Sequence, residues 1–69
     1  MGISMGVRPE ILLSLVNTKL RDFYSSLEIL CANEDVDKKV LEEKLKQIGY
    51  VYVDKYNQFK YEEAVWDTI

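Results

Sequence analysis

Residues 25–49 read SSLEILCANEDVDKKVLEEKLKQIG, and the order of chemistry in this stretch decides the fold. Ser25 and Glu28 have the spacing of a capping box, which predicts the start of a short helix. Leu27, Leu30 and Cys31 fall on its inward face. Asn33-Glu34-Asp35 end it, because short polar side chains compete with the helix backbone and favour turns. Asp37 is a good N-cap for a further helix that places Val40, Leu41, Leu45 and Ile48 on one face. The outer face alternates in charge, pairing Lys38 with Glu42, Lys39 with Glu43 and Glu42 with Lys46. Gly49 stands at the C′ position where a helix commonly ends.

Working outward, Pro9 sits where its fixed φ suits the first turn of a helix. Leu12, Leu13, Val16 and Leu20 recur at three- and four-residue steps, and Ile11 and Leu15 widen the stripe. The first helix is therefore expected over residues 9–22. Downstream, Tyr50-Val51-Tyr52-Val53 is β-branched and aromatic, Asp54-Lys55-Tyr56-Asn57 is rich in turn formers, and Gln58-Phe59-Lys60-Tyr61 alternates again. These segments predict a hairpin. The fold class is mostly α with a small β-hairpin, a three-helix architecture resembling a winged helix-turn-helix. Residues 1–8 are expected to be a flexible N-terminal segment, 9–61 a single globular domain, and 62–69 a C-terminal turn or tail. In that tail Tyr61, Val65, Trp66 and Ile69 share a helical face, which favours a last helical turn.

Sixty-nine residues allow one small domain, and a core of this size is thin unless a staple or a partner supports it. Cys31 is the only cysteine, so no intrachain disulfide can form, and a lone thiol fits a reducing, cytoplasmic compartment. No apolar run approaches the length of a membrane span, and the start lacks the pattern of a signal peptide. Gly2 follows Met1 as in myristoylated chains, yet Gly6 stands where that pattern needs Ser or Thr.

The residue inventory disfavours catalysis. There is no histidine, the commonest general base and nucleophile activator. Cys31 falls on the apolar face of its helix, where a structural thiol is the expected role. One cysteine without histidine cannot build a structural zinc site, and the acids of residues 34–37 lack the glycine and bidentate glutamate of a calcium loop. No cofactor, catalytic residue or metal ligand is expected, and the chain reads as a non-enzyme.

Nucleic acid is also disfavoured. The net charge is −3, and all of that excess lies in residues 34–69. The would-be recognition helix, Asp37 to Gln47, carries four lysines against three acids and no arginine for bidentate base reading. Glu34 stands at the position before the turn that is usually apolar. Tyr50, Tyr52 and Phe59 suggest a stacking surface for RNA, but a two-stranded ribbon needs a helix to cover such rings, so core packing is expected.

The expected function is a small protein–protein interaction module that binds a protein partner or itself, as a two-fold homodimer. The alternative is a degenerate winged-helix regulator touching nucleic acid. Candidate partner-binding residues are Asn17, Lys19, Arg21, Asp22 and Trp66. Asn17 lies beside the apolar stripe of the first helix, where it can instead bond a neighbouring backbone group. Self-association is suggested by the width of the stripe from Ile11 to Leu20 and by Trp66 and Ile69.

The run Val16-Asn17-Thr18-Lys19-Leu20-Arg21-Asp22, followed by Tyr24-Ser25-Ser26-Leu27 and Leu30-Cys31, resembles the core of a short bacterial family, domain of unknown function 4250. Lys44-Leu45, Ile48-Gly49-Tyr50, Tyr52 and Asn57-Gln58-Phe59 extend the resemblance, which spans Leu12 to Phe59. It implies a bacterial origin and a small stand-alone protein, and it brings no assigned activity or site. The acidic tail with Trp66 departs from the family pattern.

Overall fold

The computed structural model of the chain describes Ile3 and residues 6–63. Its elements run α1 (Pro9–Asp22), α2 (Leu27–Glu34), α3 (Lys38–Lys46), β1 (Tyr50–Val53) and β2 (Gln58–Tyr61). The fold is the expected mostly helical one, in the order of a winged helix-turn-helix. Val65, Trp66 and Ile69, with the helical turn read from them, lie outside the described residues.

The three helices close on one core. Leu12 and Val16 of α1, Leu27 and Leu30 of α2, and Leu41 and Leu45 of α3 are fully buried, with Leu20, Cys31 and Phe59 nearly so. Ile3, in the segment expected to lie outside the domain, is 8% exposed and belongs to this cluster. The hairpin pairs Tyr50 with Tyr61 and Tyr52 with Phe59, so one face of the ribbon carries four aromatic rings. Tyr52 meets Phe59 at 5.6 Å and Tyr50 meets Tyr61 edge-on at 5.5 Å, the offset geometries that ring quadrupoles favour. Phe59 lies in the core and Tyr50 and Tyr52 pack against it, as expected, while Tyr61 stays exposed at the end of the same face.

Local chemistry sets the element ends, with some departures from the expectation. The N-cap of α2 is Ser26, not Ser25, and its Oγ accepts the Ile29 N–H at 3.2 Å. The capping box therefore does not form; Glu28 instead accepts from Lys38 Nζ of α3 at 2.7 Å. That interhelical ion pair replaces the expected Lys38–Glu42 pair, and among the described residues no ion pair joins two residues of α3. Asp37 caps α3 as expected, accepting from the Val40 N–H at 3.2 Å. Val40 itself is 50% exposed: the inward stripe of α3 runs through Leu41 and Leu45, and Val40 falls outside it.

The turn between α2 and α3 is made by Asp35 in the left-handed region, φ 56° and ψ 50°, a conformation in which Asp is among the better tolerated residues. After α3 the chain tightens through i→i+3 bonds, Ile48 N–H to Leu45 and Gly49 N–H to Lys46. Gly49 has φ +84°, and a Cβ there would meet the Tyr61 ring at 2.7 Å. Both the backbone and the close approach of β2 require glycine at that corner.

Candidate functional site

Two polar clusters bind the elements together. Asn17, on the flank of α1, is bonded twice to the main chain of Phe59: its Oδ1 accepts the Phe59 N–H at 2.7 Å, and its Nδ2 donates to the Phe59 carbonyl at 3.1 Å. The amide therefore occupies the outer edge of β2 as one residue of a neighbouring strand would, which leaves less of that edge open to another chain. Gln58 returns the bond, donating from Nε2 to the Asn17 carbonyl at 2.9 Å.

Asn57 completes the lock from the hairpin turn, where it takes φ 51°. Its Nδ2 donates to the carbonyls of Leu20 and Tyr24, at 3.1 and 2.9 Å, and so satisfies backbone groups at and just beyond the open end of α1. Its Oδ1 accepts from the Tyr52 hydroxyl at 2.5 Å. Turn, strand and helix end are thus tied by two asparagines and one glutamine.

The second cluster centres on Glu34, which is 6% exposed at the last position of α2. Its Oε2 accepts from the Tyr24 hydroxyl at 2.6 Å and from Lys19 Nζ at 3.4 Å. Chiefly the Tyr24 bond, aided by Lys19, holds the Glu34 carboxyl below its ordinary pKa, while the same bond raises that of the Tyr24 phenol. Glu34 Oε1 is buried and has no hydrogen-bond partner among the described residues. A buried carboxylate is stable only when paired, so these three residues fix the packing of α1 on α2.

Asn17 and Lys19, two of the expected partner-binding residues, therefore spend their polar atoms inside the domain. Arg21 and Asp22 face solvent and form a bidentate pair with each other, at 2.9 and 3.0 Å. Trp66 lies outside the described residues. Glu34 was missed as an inward residue, although Leu27, Leu30 and Glu34 follow the three- and four-residue steps that mark the inner face of α2. Nothing in the sequence foretold that Asn57 would reach the end of α1.

What remains open is the outer face of α1. Ile11 is 56% exposed and Leu15 36%, and with Glu10, Ser14 and Thr18 they line a shallow depression along the helix. Phe23, just past the helix end, is 72% exposed with Lys19 Nζ 5.8 Å from its ring centre. A second groove of about 260 Å³ lies between α3 and the hairpin, lined by Glu42, Glu43, Lys46, Val51, Tyr52 and Phe59. Cys31 is nearly buried, and burial raises its thiol pKa, which keeps it in the less nucleophilic protonated form. Among the described residues no group of His, Cys, Asp and Glu could hold a metal ion, and no helix is long and apolar enough to cross a membrane.

A three-helix unit with a hairpin wing, its characteristic polar residues turned to internal bonds, defines a small α-plus-hairpin module. The chain belongs to the family described as Domain of unknown function (DUF4250), which it matches over residues 8–59. Two of the runs that carry the family resemblance, Val16 to Asp22 and Asn57 to Phe59, contribute the two sides of the hydrogen-bonded lock. In comparisons with the curated proteins and with the solved structures, nothing matches the chain.

Proposed function

We propose that this chain is a non-enzymatic protein-interaction module that engages its protein partner through the outward face of α1. One observation carries the reading: Ile11 and Leu15 stand exposed side by side on a helix whose opposite face is fully packed. A contiguous apolar patch rimmed by polar residues is one mark of an interface. Asn17, Lys19, Glu34, Asn57 and Gln58 are occupied by the fold, and the chain has no histidine to serve as a base. The lone, nearly buried thiol of Cys31 suits a reducing compartment, which supports a cytoplasmic location for the module.

A second reading, a winged-helix contact with nucleic acid, draws on the hairpin tip. Tyr56 is 56% exposed there, with the ammonium groups of Lys55 and Lys60 at 5.6 and 5.3 Å from its ring centre. Against it stands α3, where Lys38 is held by Glu28 and where Glu42 and Glu43 lie among the lysines.

Two measurements separate these readings. A photo-reactive residue at Leu15 should cross-link a protein in native extract, and Ile11→Asp should abolish that product while circular dichroism stays unchanged. Cross-linking indifferent to Ile11→Asp would overturn the interaction reading. Binding to a DNA duplex that weakens steeply with salt and disappears in a Lys55→Glu/Lys60→Glu variant would establish the second reading instead.

A further inference from the structure

We infer that the outer edge of β1 is a docking site for an extended peptide, which adds as a third strand beside α3 and carries basic side chains alternating with apolar ones. This surface is distinct from the outer face of α1 and does not depend on it. Glu62 N–H donates to the Gly49 carbonyl at 2.7 Å, so residues 49 and 62 form a hydrogen-bonded pair. Such pairs recur at every second position of an antiparallel ladder, which makes Val51–Lys60 and Val53–Gln58 the next two. Tyr50 and Tyr52 belong to the pairs between them and turn their N–H and C=O groups away from β2. Phe59, opposite Tyr52, does the same on the far side of the ribbon, and there Asn17 takes both groups. Nothing equivalent serves β1: among the described residues the main chain of Tyr50 and Tyr52 has no partner on its outer side.

The two edges of the ribbon are thus unequal. An amide closes that of β2, whereas β1 lacks the usual guards of an edge. No proline, bulge or charged side chain stands between Tyr50 and Val53. Beside this edge lies the groove of about 260 Å³ between α3 and the hairpin. That volume falls below the ~300–1,000 Å³ of a small-molecule site and suits a strand laid along the edge. An added strand alternates its side chains between the two faces of the sheet. Those on the helix side meet Glu42, Glu43 and Lys46, and those on the other side extend the surface of Val51 and Val53. The two glutamates outnumber the lysine, and among the described residues none of the three is in an ion pair. Basic side chains towards α3 and apolar ones beside the valines are therefore the complement of this groove. Main-chain bonds supply the affinity of such strand addition, and the alternate side chains supply its selectivity.

Titration of the isotope-labelled chain with a short acetylated, amidated peptide of alternating lysine and valine, read by amide shifts and hydrogen exchange, tests this. The Tyr52 N–H should exchange roughly tenfold more slowly in the saturated complex, while the Phe59 N–H, already bonded to Asn17, should not change. N-methylation of the peptide's lysines and of its valines should be unequal in effect, because only one set of N–H groups faces β1. Glu42→Lys/Glu43→Lys should weaken binding roughly tenfold and favour a peptide with glutamate in place of lysine. Ile11→Asp should leave the titration unchanged, so failure at this edge and failure of the α1 reading are separable. Binding without protection of the Tyr52 amide would show charge attraction alone and overturn the proposal, as would an absence of shifts at millimolar peptide. Self-association of the free chain with that same protection would assign the edge to a second copy and overturn it too.

Discussion

The two faces of α1 use similar side chains to opposite ends. On the inner face Leu12, Val16 and Leu20 are all but excluded from water, and Asn17 beside them is bonded to both main-chain groups of Phe59. On the outer face Ile11 and Leu15 are as apolar, yet no element of the described chain covers them. Two properties that look like one in a stretch of sequence come apart in α1. Apolar periodicity marks a stripe, but burial of the stripe depends on how many neighbours the fold can supply. Here two helices and a two-stranded ribbon suffice for one face.

The inner face is the more sensitive of the two. Leu41→Ala or Leu45→Ala removes a fully buried side chain from the floor on which α1 rests, and each should cost about 2–5 kcal/mol. In so small a domain either change should leave much of the chain unfolded at room temperature, read as a collapse of the urea midpoint. A midpoint unchanged within error would refute the packing of α3.

The polar lock comes next. Asn17→Leu keeps the volume but strands the N–H and carbonyl of Phe59, so a loss of roughly 2–4 kcal/mol is expected from two part-buried groups. Asn17→Asp keeps the acceptor for the Phe59 N–H but sets a carboxylate oxygen against the Phe59 carbonyl, so it should also destabilise at neutral pH and recover in part, relative to the wild type, once acid protonates the new carboxyl and restores a donor. No recovery in acid would show that the bond to the Phe59 carbonyl contributes little at this position.

The Glu34 cluster supplies a smaller, pH-dependent effect. Tyr24 and Lys19 hold the Glu34 carboxyl below its ordinary range. Its contribution to stability is therefore complete above the unfolded-state carboxylate pKa of about 4.3 and is lost as pH falls through the depressed folded value. Glu34→Gln should flatten the acid limb of a melting-temperature profile and leave the neutral plateau comparatively less changed. An acid limb of unchanged slope in the variant would assign acid sensitivity to other carboxylates.

The smallest effect on stability belongs to the outer face. Ile11→Asp should change folding free energy by no more than about 0.5 kcal/mol, as exposed substitutions generally do. The same variant should lose whatever α1 binds. A large drop in the denaturation midpoint would show that the outer face is covered within the chain after all, which would join the two faces into one core.

Local chemistry along the chain was enough to set the type and order of the elements. Pro9, Asp37 and Gly49 punctuate the chain for local reasons, through a preset φ, a side-chain acceptor and a left-handed backbone; Pro9 and Asp37 stand where expected, and Gly49 stands one residue beyond the expected C′ position, after the Gln47 C-cap. Leu12, Val16, Leu20, Leu41 and Leu45 were legible as core because their spacing matches the helical repeat. Which competing group each polar side chain serves depends instead on how the elements pack. Ser26 rather than Ser25 caps α2, because the backbone entering that helix turns one residue later. Glu28 meets Lys38 across two helices and not along one, and Asn57 closes a helix end that precedes it by more than thirty residues. Such partners are close in space and distant in sequence. The energy of each bond is set by the packing that brings the groups together, and no local pattern encodes it. The same holds for Ile11 and Leu15: their place in the stripe is sequence, and their exposure among the described residues follows from which face of α1 the other helices and the hairpin pack against.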